Sequence, residues 1–388
     1  MTFIVSPTYP FSIVEEGGVV SSVTATDFLS YYNASKVVLS GNSQGLYDPS
    51  FMKSSMCGIV NTPISNDLPF LYPPQTLLFF SALSLLDIDQ SFLVWSIVNI
   101  MATILFMAIC LNRVKPHNKN SIVFLSILTS TYYPWINNMY QGQVMIFVTL
   151  GLWGYYLLVN NKRYFLAGIL VVACAFKPQL FIVPVLYLMI INGSRLWLST
   201  ILAGITTFVL CSLVFGWEIW WSYLEILVYG EKEMRRTLNG MVNIRSLLFL
   251  FFGSSDIELI NLTSLALWGL SVLVILLLGV LLKGKSKEVK EMGFMLSIVI
   301  GCLFSPWLYI HACILLIIPM VYLASSGKFK ILDHSLLLPT IFNMSAIIVV
   351  NISLQLSLFF WILTQLFLIG LIIRNIVLDY SCKVIISK

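Results

Sequence analysis

An all-α polytopic membrane protein is the fold class this sequence predicts, and three observations predict it. The 388 residues are 59% hydrophobic and only 10% charged, with a mean hydropathy of +0.92. An ordinary soluble domain carries about 25% charged residues. A chain so poor in charge cannot cover a water-facing surface, which excludes a soluble enzyme, a disordered protein and a nucleic-acid binder. Apolar runs recur near the length a bilayer demands, about 20 residues. The formal net charge is only +5, but the charges are sorted by position.

The elements follow in order. Residues 1–90 form the first large polar segment. Met1–Thr26 holds Pro7, Pro10, Glu15 and Glu16 and reads as neither a signal peptide nor a spanning helix. Near Asp27 a short amphipathic helix is expected, running on through Ala34, Val37, Val38 and Leu39 to Gly41, with Thr26 or Asp27 as its cap. Leu46-Tyr47-Asp48-Pro49 reads as a turn. Tyr72–Leu86 opens on Pro73-Pro74, leaving about a dozen residues. These cover roughly 20 Å of a ~30 Å hydrocarbon core, so the segment reads as an interfacial or re-entrant helix.

Residues 91–215 carry candidate spans at Ser91–Leu111, Ser121–Trp135, Val144–Val159, Tyr164–Phe176, Gln179–Ile191 and Trp197–Phe215. Residues 216–258 mix Trp217, Trp220, Trp221, Tyr223 and Tyr229 with Glu218 and Glu225, the composition of a helix lying in the interface or of an aromatic belt. Residues 259–388 carry further spans at Leu259–Leu282, Gly293–Phe304, Ala312–Ala324, Leu336–Ile352 and Leu354–Val377, giving about eleven transmembrane helices in all.

Every second connection is basic: Arg113, Lys115 and Lys119; Lys162 and Arg163; Arg195; Lys283, Lys285, Lys287 and Lys290; Lys328 and Lys330; then Arg374, Lys383 and Lys388. That side collects 15 of the 22 basic residues and 4 of the 17 acidic ones. Cytoplasmic loops are rich in Lys and Arg, so these connections and the C-terminus are expected inside the cell. Residues 1–90, Tyr140–Gln143, Lys177-Pro178, Trp217–Glu258 and Ser305–Ile310 are then expected outside. The spans contain almost no ionisable groups, whereas a carrier or channel keeps polar groups within its helices. This pattern predicts chemistry at the outer face on a substrate delivered by the lipid phase. Most of the seven cysteines lie in apolar runs without ligand spacing, so neither a disulfide framework nor a metal centre is implied. No P-loop, GxGxxG or HExxH motif occurs, which argues against a cytosolic nucleotide site.

Candidate residues follow from this map. Asp27 is either a helix cap or a general base for a sugar hydroxyl. Asp48 precedes a proline in a turn. Tyr72 lines a pocket or anchors at the interface. Tyr140-Gln141-Gly142-Gln143 follows Asn137 and Asn138 in a tight turn whose amides and phenol suit sugar hydroxyls, with Gly142 allowing close backbone approach. Lys177 sits at a helix break made by Pro178. A cation at that depth wants an anion, and a lipid phosphate fits, unless the side chain only snorkels. Arg235, Arg236, Asn243 and Arg245 form a basic cluster in an otherwise acidic outer face. His311 follows Ser305-Pro306-Trp307 and is the outer-face histidine, suited to a phosphate or to orienting a carboxylate. His117 and His334 fall in basic loops and read as solvated.

These pieces together resemble glycosyltransferase family 87, within the GT-C class of polytopic membrane glycosyltransferases. The resemblance runs from about Asp27 to Pro319. It rests on Asp27-Phe28 with Tyr31-Tyr32, Gly41, Leu46-Tyr47-Asp48, Tyr72-Pro73-Pro74, Gly142-Gln143, Ala167-Gly168, Phe176-Lys177-Pro178, Asn243, and Ser305-Pro306-Trp307 with His311. It implies a transferase acting outside the cytoplasmic membrane on a polyprenyl-phosphate sugar, often mannose, with a glycan or glycolipid as acceptor. Asp27 would be the general base, with inversion at the anomeric carbon. Lys177 and His311 would contact the leaving phosphate, and Gln143 the sugar or its lipid phosphate. Gln141, Tyr72, Asn243 and Arg245 are expected on the donor side, and Tyr31, Tyr32, Asp48 and Trp307 around the acceptor. No cofactor is named, and a need for a divalent metal is left open. The sequence departs from the family in lacking a spanning helix before the aspartate. An O-antigen-type polymerase or ligase relying on Arg235 and Arg236, or a flippase of lipid-linked sugars, are the rival readings.

Overall fold

The computed structural model describes residues 3–4, 13–16, 19–23, 26–60, 69–113, 132–233, 241–253, 256–325 and 354–386. Arg235, Arg236, His117, His334, most of Ser121–Trp135 and the whole of Leu336–Ile352 lie outside the described residues. The described chain is helical, as its composition predicts. One short antiparallel meander precedes the helices, with β1 (Phe3–Ile4), β2 (Ile13–Glu16) and β3 (Val19–Val23) paired in sequence order.

Among the described residues, four helices are long and apolar enough to cross a membrane. They are α4 (Ile88–Arg113), α9 (Ser194–Phe215), α12 (Ile257–Leu282) and the Leu358–Val377 part of α15 (Leu354–Ile386). Their surfaces explain why. Ile97, Met101 and Ile104 of α4, and Leu262, Leu273 and Leu277 of α12, are exposed. Water would penalise each Å² of such surface by about 25 cal/mol, whereas lipid does not. Four further apolar segments are shorter: α6 (Met145–Asn160), α7 (Tyr164–Ala173) and α8 (Pro178–Asn192) have 16, 10 and 15 residues, and the fourth runs over Ile310–Leu323. At 1.5 Å per residue, α8 extends about 22 Å. Four described helices thus have full spanning length, and shorter apolar helices stand at four of the other expected spans.

The chain divides into two compact units. The first comprises Met1–Ile104, Asn137–Ile146 and Leu202–Met234. Its centre is α1 (Thr26–Leu39), packed against α2 (Pro49–Val60), α3 (Gln75–Phe80) and the 3-10 turn Ser43–Tyr47. The sequence predicts an amphipathic α1, but residues 28–35 are buried consecutively. No single face of a 3.6-residue helix holds eight residues in a row, so α1 is a core helix surrounded on all sides. Asn33 fixes it to α2, donating to the Met52 carbonyl at 3.0 Å and accepting from Ser55 Oγ at 2.7 Å. After Pro73-Pro74, α3 holds six residues, about half of the dozen the sequence allows there. In α10 (Ile219–Glu233), Ile219, Tyr223 and Ile226 are buried while Trp221 and Leu224 are exposed, a stripe at helical spacing.

The second unit comprises Leu105–Ile136, Phe147–Ile201 and Arg235–Lys388. Here α13 (Lys287–Phe304) packs on α8, α12 and α15 and is buried along most of its length. Glycine lets it approach α8: a Cβ at Gly293 would lie 2.1 Å from the Tyr187 hydroxyl. That hydroxyl donates to the Lys290 carbonyl at 2.9 Å. The short helices α11 (Ile244–Phe252) and α14 (Ile317–Ser325) complete the packing.

Candidate functional site

In the first unit the candidate residues gather around Gln143. The helix α5 (Tyr133–Gln141) ends at Gly142, whose φ of +65° is a left-handed value. A Cβ there would lie 2.6 Å from that of Phe28, so glycine is required on both counts. The Gly142 carbonyl accepts from Trp95 Nε1 at 2.7 Å. This locks the turn and points the buried Gln143 into the core. Its Oε1 accepts from Tyr31 at 3.1 Å and from Tyr72 at 3.4 Å. The two tyrosine rings meet edge to face, 4.7 Å apart. Burial above all, then Tyr72 and Asp27, push the Tyr31 phenol well above its ordinary range, so it stays a neutral donor. Asp27 occupies the first turn of α1 and remains half-exposed. A carboxylate there is favoured by the helix dipole. Tyr31 and Tyr72, expected on the acceptor and donor sides respectively, thus share one hydrogen-bond acceptor.

In the second unit, Lys177 and His311 meet although 134 residues apart, with Nζ to Nε2 at 2.9 Å. Each is delivered by a proline-marked break. Lys177 is the residue before Pro178 at the start of α8, where Pro is tolerated. His311 follows the Ser305-Pro306 turn, at the start of the 3-10 segment Ile310–Leu316 and ahead of the stretch read as spanning from Ala312. His311 is only 4% exposed, and Tyr309 stacks on its ring. Burial first, then the lysine, hold the imidazole well below its usual range. It is therefore neutral, with Nε2 turned to the lysine. A lysine cation at a helix N-terminus beside a neutral donor is an arrangement that suits an anion.

The turn bearing His311 is pinned from several directions. Val242 donates to the Leu308 carbonyl at 2.8 Å, and Gln365 donates to the Val242 carbonyl at 2.9 Å. Asn243 caps α11 in a reciprocal capping box with Ser246 and donates Nδ2 to the Ser305 carbonyl at 2.7 Å. Arg245, buried, donates to the Pro306 carbonyl and to Asn261 Oδ1. Tyr132 donates to the Cys313 carbonyl at 2.6 Å. Asn243 and Arg245, expected to bind an anionic headgroup, thus use these bonds to brace the turn.

The remaining candidates lie elsewhere. Tyr32 donates to the Leu86 carbonyl at 2.8 Å, away from Gln143. Asp48 Oδ1 caps α2, accepting from the amides of Ser50 and Phe51 at 2.8 and 3.1 Å. Gln141 is half-buried at the end of α5. The half-buried Trp307 keeps its indole N–H buried and without a hydrogen-bond partner among the described residues. Two residues were not singled out from sequence. Tyr47 donates to the Tyr72 carbonyl at 2.8 Å, and its ring lies tilted against that of Tyr223. Gln365 sits 123 residues from Val242, whose carbonyl it holds. Neither has a local signal, because each acts on a segment distant in sequence.

A family model, that of glycosyltransferase family 87, matches residues 70–306, more than half of the chain and including Tyr72, Gln143, Lys177, Asn243 and Arg245. No curated protein and no solved structure is significantly similar.

Proposed function

The chain belongs to glycosyltransferase family 87, and from that membership we propose that it moves a hexose, mannose foremost, from a polyprenyl-phosphate sugar to a glycan or glycolipid at the outer face of the cytoplasmic membrane. The observation that carries this reading is the Lys177–His311 pair. It joins a lysine, a neutral imidazole and a helix N-terminus, brought together from positions 134 apart. Such a group of donors would stabilise charge developing on a phosphate leaving group. Fixed electrostatics of that kind act without reorganisation at the moment of reaction.

Asp27 takes the proton from the acceptor hydroxyl. The freed oxygen attacks the anomeric carbon from the side opposite the phosphate. The C1–O bond breaks, and its electron pair leaves with the polyprenyl phosphate, inverting the configuration. The half-buried Tyr72 offers its hydroxyl to the sugar, and the buried Tyr31 and Gln143 act through the placement of α1. Asn243 and Arg245 hold the turn that presents His311.

Incubating the purified protein with radiolabelled polyprenyl-phosphate sugars and a cell-envelope extract is expected to yield a labelled glycan or glycolipid. Labelled lipid that crosses a liposome bilayer without bond formation would establish a transporter instead. Product that depends on Arg235 and Arg236 but not on Asp27 would establish a polymerase or ligase.

A further inference from the structure

The first unit contains an open surface cavity, with Asp48 and Glu225 exposed on it, that the mechanism above leaves unused. It holds about 280 Å³ between the 3-10 turn Ser43–Tyr47, the start of α2 and α10, with Gln44, Tyr47, Asp48, Ser222 and Glu225 among its walls. That volume is at the lower end for ligand pockets, roughly 300 Å³ and upward, and gives room for one sugar ring. Its chemistry is selective. Two carboxylates repel phosphate, which separates this cavity from the cationic Lys177–His311 pair. They also accept hydrogen bonds from hydroxyls. Asp48 spends Oδ1 on the first turn of α2, and its second oxygen makes no hydrogen bond among the described residues. Ser222 and Gln44 add a hydroxyl and an amide. Tyr47 supplies an aromatic face, backed by Tyr223 with ring centroids 5.7 Å apart. The cavity is also wired to the Asp27 cluster. Tyr47 donates to the Tyr72 carbonyl, and the Tyr72 hydroxyl shares Gln143 with Tyr31.

We infer that this cavity is a subsite for an uncharged sugar of the acceptor, gripped by Asp48 and Glu225. The inference rests on the transferase reading and specifies its acceptor: a neutral glycan, with a sugar beyond the one that receives the hexose seated here. Loss of a hydroxyl bond to a charged group weakens binding by about tenfold or more.

The test uses the full chain in lipid nanodiscs with three variants. Glu225→Gln removes one charge. Asp48→Asn removes the other but keeps a good cap. Ser222→Trp fills the space. Saturation-transfer NMR with maltotriose and mannotriose, and with trigalacturonic acid as the anionic control, reads binding without requiring turnover. The wild type is expected to bind a neutral trisaccharide and not the acid. The two charge variants are expected to bind it about tenfold more weakly, and Ser222→Trp not at all. In the transfer assay, acceptor KM rises in the same order while donor KM is unchanged. No saturation transfer to either neutral sugar, or full transfer in Ser222→Trp, would overturn the subsite. Product formation with an unaltered acceptor KM in all three variants would do the same while leaving the transferase reading intact. Sugar binding without any labelled product from the wild type would instead count against the transferase reading alone.

Discussion

The cluster around Gln143 and the pair of Lys177 with His311 are built by opposite means. The first is a network of neutral donors on short elements, in which a glutamine and two phenols satisfy one another beside a half-exposed carboxylate. The second is a charged contact at the ends of an apolar helix and a buried turn, held by side chains that reach from α11, α12 and α15. A neutral network suits an uncharged polyol and a base, and a cation with a neutral imidazole suits a phosphate. The difference teaches that a neutral hydrogen-bond network and a charged pair are each assembled within a single compact unit of the chain.

Substitutions sharpen or break that contrast, beginning with the largest effect. Asp27→Asn is expected to reduce transfer by about a thousandfold, the scale of general-base catalysis. Size-exclusion profile and thermal midpoint should stay unchanged, and a variant that transfers at the wild-type rate would remove Asp27 from the chemistry. Lys177→Ala is expected to cost about a hundredfold in kcat, as for loss of one fixed electrostatic donor. His311→Gln should add little on top, because groups that act as a unit are non-additive. Full additivity in the double variant would split the pair.

The pair should also leave a trace in stability against pH. His311 has a folded pKa below its unfolded value of about 6.5, so the unfolded chain binds its proton first. Its contribution is fully present above about pH 6.5 and is lost as pH falls below that value. The wild-type thermal midpoint should therefore drop more steeply than that of His311→Gln between about pH 7 and pH 5. Parallel curves would mean that the imidazole is not held neutral. The smallest effect belongs to the neutral network. Tyr72→Phe removes one hydrogen bond worth about 1 kcal/mol and should lower turnover by roughly fivefold, measured as initial rates at saturating donor.

Local sequence carried much of this, and its failures share a cause. The apolar runs of α4, α9 and α12 were legible because a helix that faces lipid must be apolar at full length. The segments read around α6 and α8 were legible by composition too; both form helices of the expected extent, 16 and 15 residues, shorter than a full span. The helix at Asp27 was legible as an element but not as a core helix, because Ser30, Asn33 and Ser35 look like a solvent face until their burial is seen. Lys177 and His311 each stood out beside a proline, yet no pattern joins positions 134 apart. Arg245 shows the same limit in reverse. It reads as a headgroup ligand beside Arg235 and Arg236, and only the fold reveals its bonds to Asn261 and the Pro306 carbonyl.

The account stands on Asp27 and Lys177 working at one membrane face. Both are half-exposed, and each can be replaced singly by cysteine in a chain stripped of its seven native cysteines. Labelling intact cells with a membrane-impermeant maleimide should modify both positions from outside. Modification of one only from the outside and the other only after the cytoplasmic face is opened would contradict it.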